Sequence, residues 1–331
     1  MLNKGKFMPL QNLGRTQTKI SPIGLGCWQF SGGGLLVGRY WGTISQAMVN
    51  DIVTTSLQNG VNWFDTAEAY GFGASERALS TALQAAGVKP QDALIATKWM
   101  PAMRFASSLP SNTTARLKAL HPYPISLLQV HQPFSFSSIE NQMKALAGLL
   151  KDGRIRSAGV SNFILPQMRR AADALDARGF PLASNQMPYS LLNRRIEQNG
   201  VLDYAKQNRI TIIAYSPLAQ GLLSGRYHDQ PELVRSISGL RRFLPAFNNA
   251  SLHRTQPLID ELKPIAQTHK KTPTQVALRW VIQFHGETVV AIPGASRPQQ
   301  AQQNAEVLKF SLTAQELTRL DEVSRAVALK S

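Results

Sequence analysis

Val61-Asn62-Trp63-Phe64-Asp65-Thr66-Ala67-Glu68-Ala69-Tyr70-Gly71 opens as a short apolar run, ends that run on a carboxylate, and then turns through a tyrosine and a glycine. A continuous apolar run of this length is what a strand buried on both faces looks like. The pattern recurs in both directions along the chain. Ala93-Leu-Ile-Ala-Thr-Lys98 stops at Lys98, Ser126-Leu-Leu-Gln-Val-His131 at His131, and Ser157-Ala-Gly-Val-Ser-Asn162 at Asn162. Leu182-Ala-Ser-Asn-Gln186 and Thr211-Ile-Ile-Ala-Tyr215 follow the same rule. Ile23-Gly-Leu-Gly-Cys-Trp28 and Thr288-Val-Val-Ala-Ile-Pro293 complete a set of eight.

Helical periodicity fills the intervals, over 44–58, 76–86, 113–120, 138–151, 166–178, 198–207, 273–284 and 297–307. Ser138 supplies a cap, and Thr272-Pro273 places proline at a first helical position. Strict alternation of strand and helix implies right-handed crossovers and a parallel sheet. Eight repeats in 331 residues predict a closed (β/α)8 TIM barrel, whose chemistry gathers at the carboxyl ends of its strands. Residues 10–20 read as an N-terminal β-hairpin that plugs the bottom of the barrel, and 311–327 as an extra C-terminal helix. No linker or low-complexity tract interrupts this rhythm, so one domain is expected over residues 1–331.

Composition narrows the class. A formal charge of +16 raises nucleic acid or an anionic membrane surface as partners. The cations are instead scattered over many helices, and no arginine-rich helix is interleaved with aromatics. Neither partner is expected. Cys27 is the only cysteine, which excludes an internal disulfide and points to a reducing compartment. With no signal-peptide pattern and no apolar run long enough to span a bilayer, a cytoplasmic location is the expectation. The histidines follow no metal-ligand spacing, so no metal is expected.

Two glycine-rich pieces mislead. In Gly24-Leu-Gly26-Cys-Trp-Gln29, glutamine stands where a dinucleotide fingerprint has its third glycine. Gly32-Gly-Gly-Leu-Leu-Val-Gly38 lacks the Lys-Ser/Thr of a P-loop.

Asp65, Tyr70, Lys98 and His131 are different. Neighbouring strands lie about 4.8 Å apart, so these groups can converge at one mouth. A free tyrosine, with its pKa of about 10, is a reluctant acid. The Lys98 ammonium favours phenolate, Asp65 holds that ammonium, and His131 donates to the same oxygen or orients the substrate. Such a group suits protonation of an alkoxide as it forms from a carbonyl.

These four residues, in this order and spacing, resemble the signature of the aldo-keto reductase superfamily. Gly159-Val-Ser-Asn-Phe163, Ser184-Asn-Gln186, Ala214-Tyr-Ser-Pro-Leu-Ala-Gln-Gly221 with Gly225-Arg226, and Ile292-Pro-Gly-Ala-Ser296 extend the likeness over nearly the whole chain. Residues 182–225 look most like bacterial and plastid-type members and the branch that contains potassium-channel β subunits.

The resemblance implies an NADPH-dependent reductase of aldehydes or ketones with Tyr70 as general acid. It equally admits an NADPH-binding, redox-sensing regulatory subunit with little turnover, though the intact tetrad favours catalysis. Ser161, Asn162 and Gln186 would hold the nicotinamide carboxamide, with Tyr215 stacked on the ring. Ser216, Leu218, Gln220 and Arg226 resemble a pyrophosphate segment, and Cys27, Trp28 and Pro217 join the cofactor set. Gly294, Ser296, Arg297, Gln300, Gln303 and Asn304 resemble the site for adenine and the 2′-phosphate, with Gln303 where the family frequently has glutamate. Arg241 or Arg242 is a further candidate phosphate contact. Trp28, Trp41, Trp99 and Phe163 are candidate walls of the substrate pocket.

Overall fold

The computed structural model describes residues 8–32, 42–237 and 243–328. The strands, in chain order, are β1 (Gln11–Asn12), β2 (Lys19–Ile20), β3 (Leu25–Gly26), β4 (Trp63–Asp65), β5 (Leu94–Trp99), β6 (Leu127–Val130), β7 (Ala158–Ser161), β8 (Leu182–Pro188), β9 (Thr211–Tyr215) and β10 (Val289–Ala291). From β3 to β10 every neighbour pairs in parallel and in sequence order. Parallel bridges Ile23 to Ala291 and Gly26 to Gly294 then join the last strand to the first, and the amide of Gly24 donates to the Ala291 carbonyl at 2.9 Å. The sheet therefore closes into the expected (β/α)8 barrel. Glycine makes the closure possible at Gly26, where a Cβ would stand 2.7 Å from the carbonyl oxygen of Ile292.

Eight helices cover the sheet from outside: α1 (Gln46–Gln58), α2 (Ala74–Ala85), α3 (Leu109–Leu120), α4 (Ile139–Lys151), α5 (Leu165–Asp176), α6 (Val201–Asn208), and, after two further helices, α9 (Pro273–Gln283) and α10 (Pro298–Glu306). Their starts carry the expected signals. Ser138 accepts from the Asn141 amide, and Thr272 and Gln275 form a reciprocal capping box with Pro273 at the first position. The extra C-terminal helix, α11 (Ala314–Val327), begins at a second such box between Thr313 and Glu316.

The two further helices lie between β9 and α9, an interval to which the sequence pattern above assigns no helix. They are α7 (Arg226–Asp229) and α8 (Asn249–Thr268). Helix α8 is 20 residues long and carries Pro257 and Pro264 inside it. Each proline removes a backbone donor and ordinarily breaks a helix. Here Leu258, Ile259 and Leu262 bury one face completely, and that packing outweighs the local penalty.

Two apolar cores follow from the closure. The larger lies between strands and helices. The smaller fills the lower barrel with Trp63, Ala96, Leu127, Ala183, Ile213 and Val290, and includes Leu13 and Ile20 of the β1–β2 hairpin. The Gly14 amide donates to Thr211 Oγ1 at 2.7 Å, fastening the hairpin across the barrel floor as expected. No helix among the described residues is long and apolar enough to cross a membrane.

Candidate active site

Side chains alternate along a strand, so one step above the apolar floor the same inward rows turn polar. Trp63 is succeeded by Asp65, Ala96 by Lys98, and Leu127 by Gln129 and then His131. Lys98 is fully buried, and its Nζ donates to Asp65 Oδ1 at 2.5 Å, to the Thr66 carbonyl at 2.9 Å and to the Tyr70 hydroxyl at 3.4 Å. The other Asp65 oxygen accepts from Gln186 Nε2 at 2.8 Å and from Gln129 Nε2 at 3.4 Å. His131 meets Tyr70 edge-on, with ring centroids 5.9 Å apart. The four expected residues are thus brought together.

Burial sets the protonation states. It works against the Lys98 charge, but Asp65 and Tyr70 outweigh it and hold the ammonium above the ordinary lysine range. Burial, assisted by the Lys98 charge, pushes His131 down to about 3, so the imidazole is neutral. Its Nδ1 is buried without a partner. For Tyr70 the expected pull of Lys98 is present but outweighed. Lys98 does favour the phenolate, yet burial is the larger effect and leaves the hydroxyl above the ordinary phenol range. A low-dielectric site penalises the charged form more than one partly shared ammonium relieves it. Tyr70 therefore stands as a neutral hydroxyl, a donor.

The turn that carries Tyr70 is held by Glu68. Its carboxylate accepts from the Met100 amide at 3.0 Å, Asn112 Nδ2 at 2.7 Å and Arg104 Nη1 at 2.8 Å. Gly71 follows at φ +69, where a Cβ would lie 2.1 Å from the Ser31 carbonyl oxygen. Only glycine fits that turn.

A cleft of about 980 Å³ opens above this layer. It is bordered by Asp65, Tyr70 and His131 and by every residue of the expected cofactor set: Cys27, Trp28, Ser161, Asn162, Gln186, Tyr215, Ser216, Pro217, Leu218, Gln220, Arg226, Gly294, Ser296, Arg297, Gln300, Gln303 and Asn304. Lys98 lies behind Tyr70, and the Cys27 side chain is wholly buried.

The polar groups near β7 and β8 are already locked to one another. Asn162, at φ +62, donates through Nδ2 to the His131 carbonyl and to Ser161 Oγ, and accepts from the Tyr215 hydroxyl at 3.0 Å. Ser161 Oγ donates to the Gln186 carbonyl at 3.0 Å. With Gln186 Nε2 committed to Asp65, the side-chain oxygen Oε1 is the free end. The cluster therefore offers at least this acceptor to a ligand, which fits an N–H group of a carboxamide. At the far end of the cleft Arg297 and Arg226 are exposed and form no ion pair among the described residues. The Ser296 amide is already taken by Gln300 Oε1 at 2.8 Å and Pro298 has no N–H, so the guanidinium adds what those two positions cannot offer an anion.

Some expectations move. Trp28 does border the cleft, its ring stacked 6.0 Å from that of Tyr70. Trp99 and Phe163 are fully buried in the larger core and are not pocket walls: Trp99 follows inward-facing Lys98 and so points outward, and Phe163 lies past the end of β7, after the backbone turns at Asn162 with φ +62. Trp41, Arg241 and Arg242 lie outside the described residues. Gln129 went unnoticed in the sequence, although its place two residues before His131 on one strand puts both on the inward face. Gln29, Gln132, Tyr227 and Thr274 also border the cleft, and only the fold brings them there.

Comparison with known proteins agrees with this architecture. A model of the aldo/keto reductase family matches residues 22–325. An uncharacterised oxidoreductase of Mycobacterium tuberculosis is 37% identical over 324 residues, spanning 97% of this chain and 93% of the relative. The aldo-keto reductase YhdN of Bacillus subtilis is 30% identical over 318 residues, spanning 93% and 91%. Among solved structures, a glycerol dehydrogenase from Gluconobacter oxydans superimposes with a TM-score of 0.82 at 28% identity, covering 99% of this chain and 98% of that one. The chain belongs to the aldo/keto reductase family.

Proposed function

We propose that this oxidoreductase is an NADPH-dependent carbonyl reductase that converts aldehydes or ketones to alcohols, with Tyr70 as general acid. The observation that carries the reading is the neutral Tyr70 hydroxyl at the cleft floor, 3.4 Å from a buried ammonium that Asp65 fixes in place. Ser161, Asn162 and Gln186 would hold a nicotinamide carboxamide, Tyr215 would cover the ring, and Arg297 with Arg226 would meet the phosphates. When bound, that cofactor supplies the hydride. The chain's own contribution is positional and protonic. Tyr70 delivers its proton to the substrate oxygen as negative charge gathers there, and Lys98 stabilises the phenolate left behind. Neutral His131 donates to the same oxygen. The domain is read as one unit over the whole chain, in keeping with the matched span. A purely regulatory role has no need of this machinery, and the named relatives are oxidoreductases.

Tyr70→Phe tests the assignment. Aldehyde reduction should fall by at least about a hundredfold, the lower range for a general acid, while NADPH affinity stays near wild type. Turnover retained within about tenfold, or ~1.4 kcal/mol of barrier, would remove Tyr70 from the role.

A further inference from the structure

Eight large apolar side chains stand exposed among the described residues, and five of them sit in three consecutive loops at the mouth of the barrel. Phe72 follows β4, Met103 and Phe105 follow β5, and Phe134 and Phe136 follow β6. Phe72 is 88% exposed and Met103 82%. Both also hold left-handed backbone, at φ +51 and +56, a region that bulky side chains avoid. Stability alone would favour a small or polar residue at either position.

The three loops form one surface. Rings of Phe105 and Phe136 lie 5.3 Å apart. The Phe136 amide donates to the Arg104 carbonyl at 3.0 Å, and the Ala106 amide to Ser137 Oγ at 2.9 Å. Arg104 reaches back to Glu68 in the loop of Phe72. The surface begins where the cleft ends: Phe72 is two residues from Tyr70, and Phe134 two from Gln132, so each is within about 7 Å along the chain of a residue that borders the cleft. Phe105 also borders a separate groove of about 490 Å³ between α3 and α4, but Lys144, Asp152 and Arg154 line that groove beside Ala106, Pro110 and Leu149, so the uncharged surface is confined to the three loops.

From this juxtaposition we infer that the shelf binds the apolar part of a carbonyl substrate too long for the cleft, so that the preferred substrates are lipophilic aldehydes or ketones with an extended hydrocarbon portion. The inference rests on the reductase reading and names its substrate class. Charge decides the occupant. Despite the +16 of the chain, Glu68 and Arg104 are the only charged residues in 66–75, 99–108 and 131–138, and they neutralise each other. A neutral shelf has nothing to hold an anionic bilayer or an acidic protein. An uncharged chain leading away from Tyr70 suits it.

The test is a series of straight-chain aldehydes from butanal to dodecanal, assayed with saturating NADPH. Full burial of a methylene raises affinity about fourfold and half burial on an open shelf about twofold. The wild type should therefore gain about twofold in kcat/KM per methylene once the chain reaches past the cleft. Met103→Ser and the pair Phe134→Ser with Phe136→Ser should flatten that slope, with butanal kcat/KM kept within about twofold. A wild-type slope of zero, or variants that retain the full slope, would overturn the assignment. So would co-sedimentation with phosphatidylglycerol vesicles that these substitutions abolish while the slope is unchanged, since the shelf would then serve a bilayer. Absence of turnover with every aldehyde would instead strike the reductase reading, and the substrate class with it.

Discussion

Replacing Lys98 by methionine removes one half of an ion pair whose members are 0% and 1% exposed. Methionine is close in volume, so packing is nearly kept and the chief effect is electrostatic. Asp65 would remain in the barrel with only the amides of Gln186 and Gln129 on one oxygen. Leaving a buried charge without its partner costs about 3–5 kcal/mol. At roughly 2 °C per kcal/mol for a chain of this size, the melting temperature should drop by about 6–10 °C. A second substitution, Asp65→Asn, removes the stranded charge while keeping an acceptor for Gln186. The double variant should recover most of the lost stability, short by about 1–3 kcal/mol for the Thr66 carbonyl that Lys98 no longer satisfies. Activity should not recover. Without the ammonium nothing offsets burial, which in the single variant the Asp65 charge reinforces, and the Tyr70 hydroxyl is driven further from ionisation, so both variants should lose about a hundredfold or more in turnover. Urea denaturation and aldehyde-dependent oxidation of NADPH read the two quantities separately. A single variant as stable as wild type would refute the buried-pair reasoning. A double variant that regains turnover would refute the tuning of Tyr70 by Lys98.

Arg297→Ala should weaken NADPH by about 10- to 150-fold, the worth of one charge-assisted hydrogen bond, and barely touch NADH; equal loss for both cofactors in a fluorescence titration would mean that Arg297 supports its loop rather than a phosphate. The pH–rate profile for reduction should show no limb from His131 near neutrality. Its pKa is depressed to about 3, so protonation, and any loss of its role, comes only as pH falls to that region. Tyr70 is raised above its ordinary value, so loss of the proton donor belongs above pH ~10. A limb between pH 6 and 8 that disappears in His131→Asn would show that the imidazole is more solvated than its burial implies.

The barrel was legible because its signals are local. Continuous apolar strands, caps and a strict alternation each occupy a few neighbouring residues, and Asp65, Lys98, His131, Asn162, Gln186 and Tyr215 declare themselves by ending such runs. Helix α8 was illegible for the complementary reason: Pro257 and Pro264 send the local signal of a break, and burial against distant elements overrules it. Trp99 and Phe163 misled because aromatic character does not say which side of the sheet a side chain takes.

What the chain alone determined is the inventory: which groups stand at the strand ends and which chemistry they could perform together. Their states were decided only by tertiary structure. Packing put Lys98 wholly out of water beside Asp65, depressed His131, and let burial outweigh the pull of Lys98 on Tyr70. It also gathered the aromatic residues of three separate loops into one shelf. Proximity and desolvation belong to the folded whole, since each depends on atoms far apart in sequence that meet only when the sheet closes.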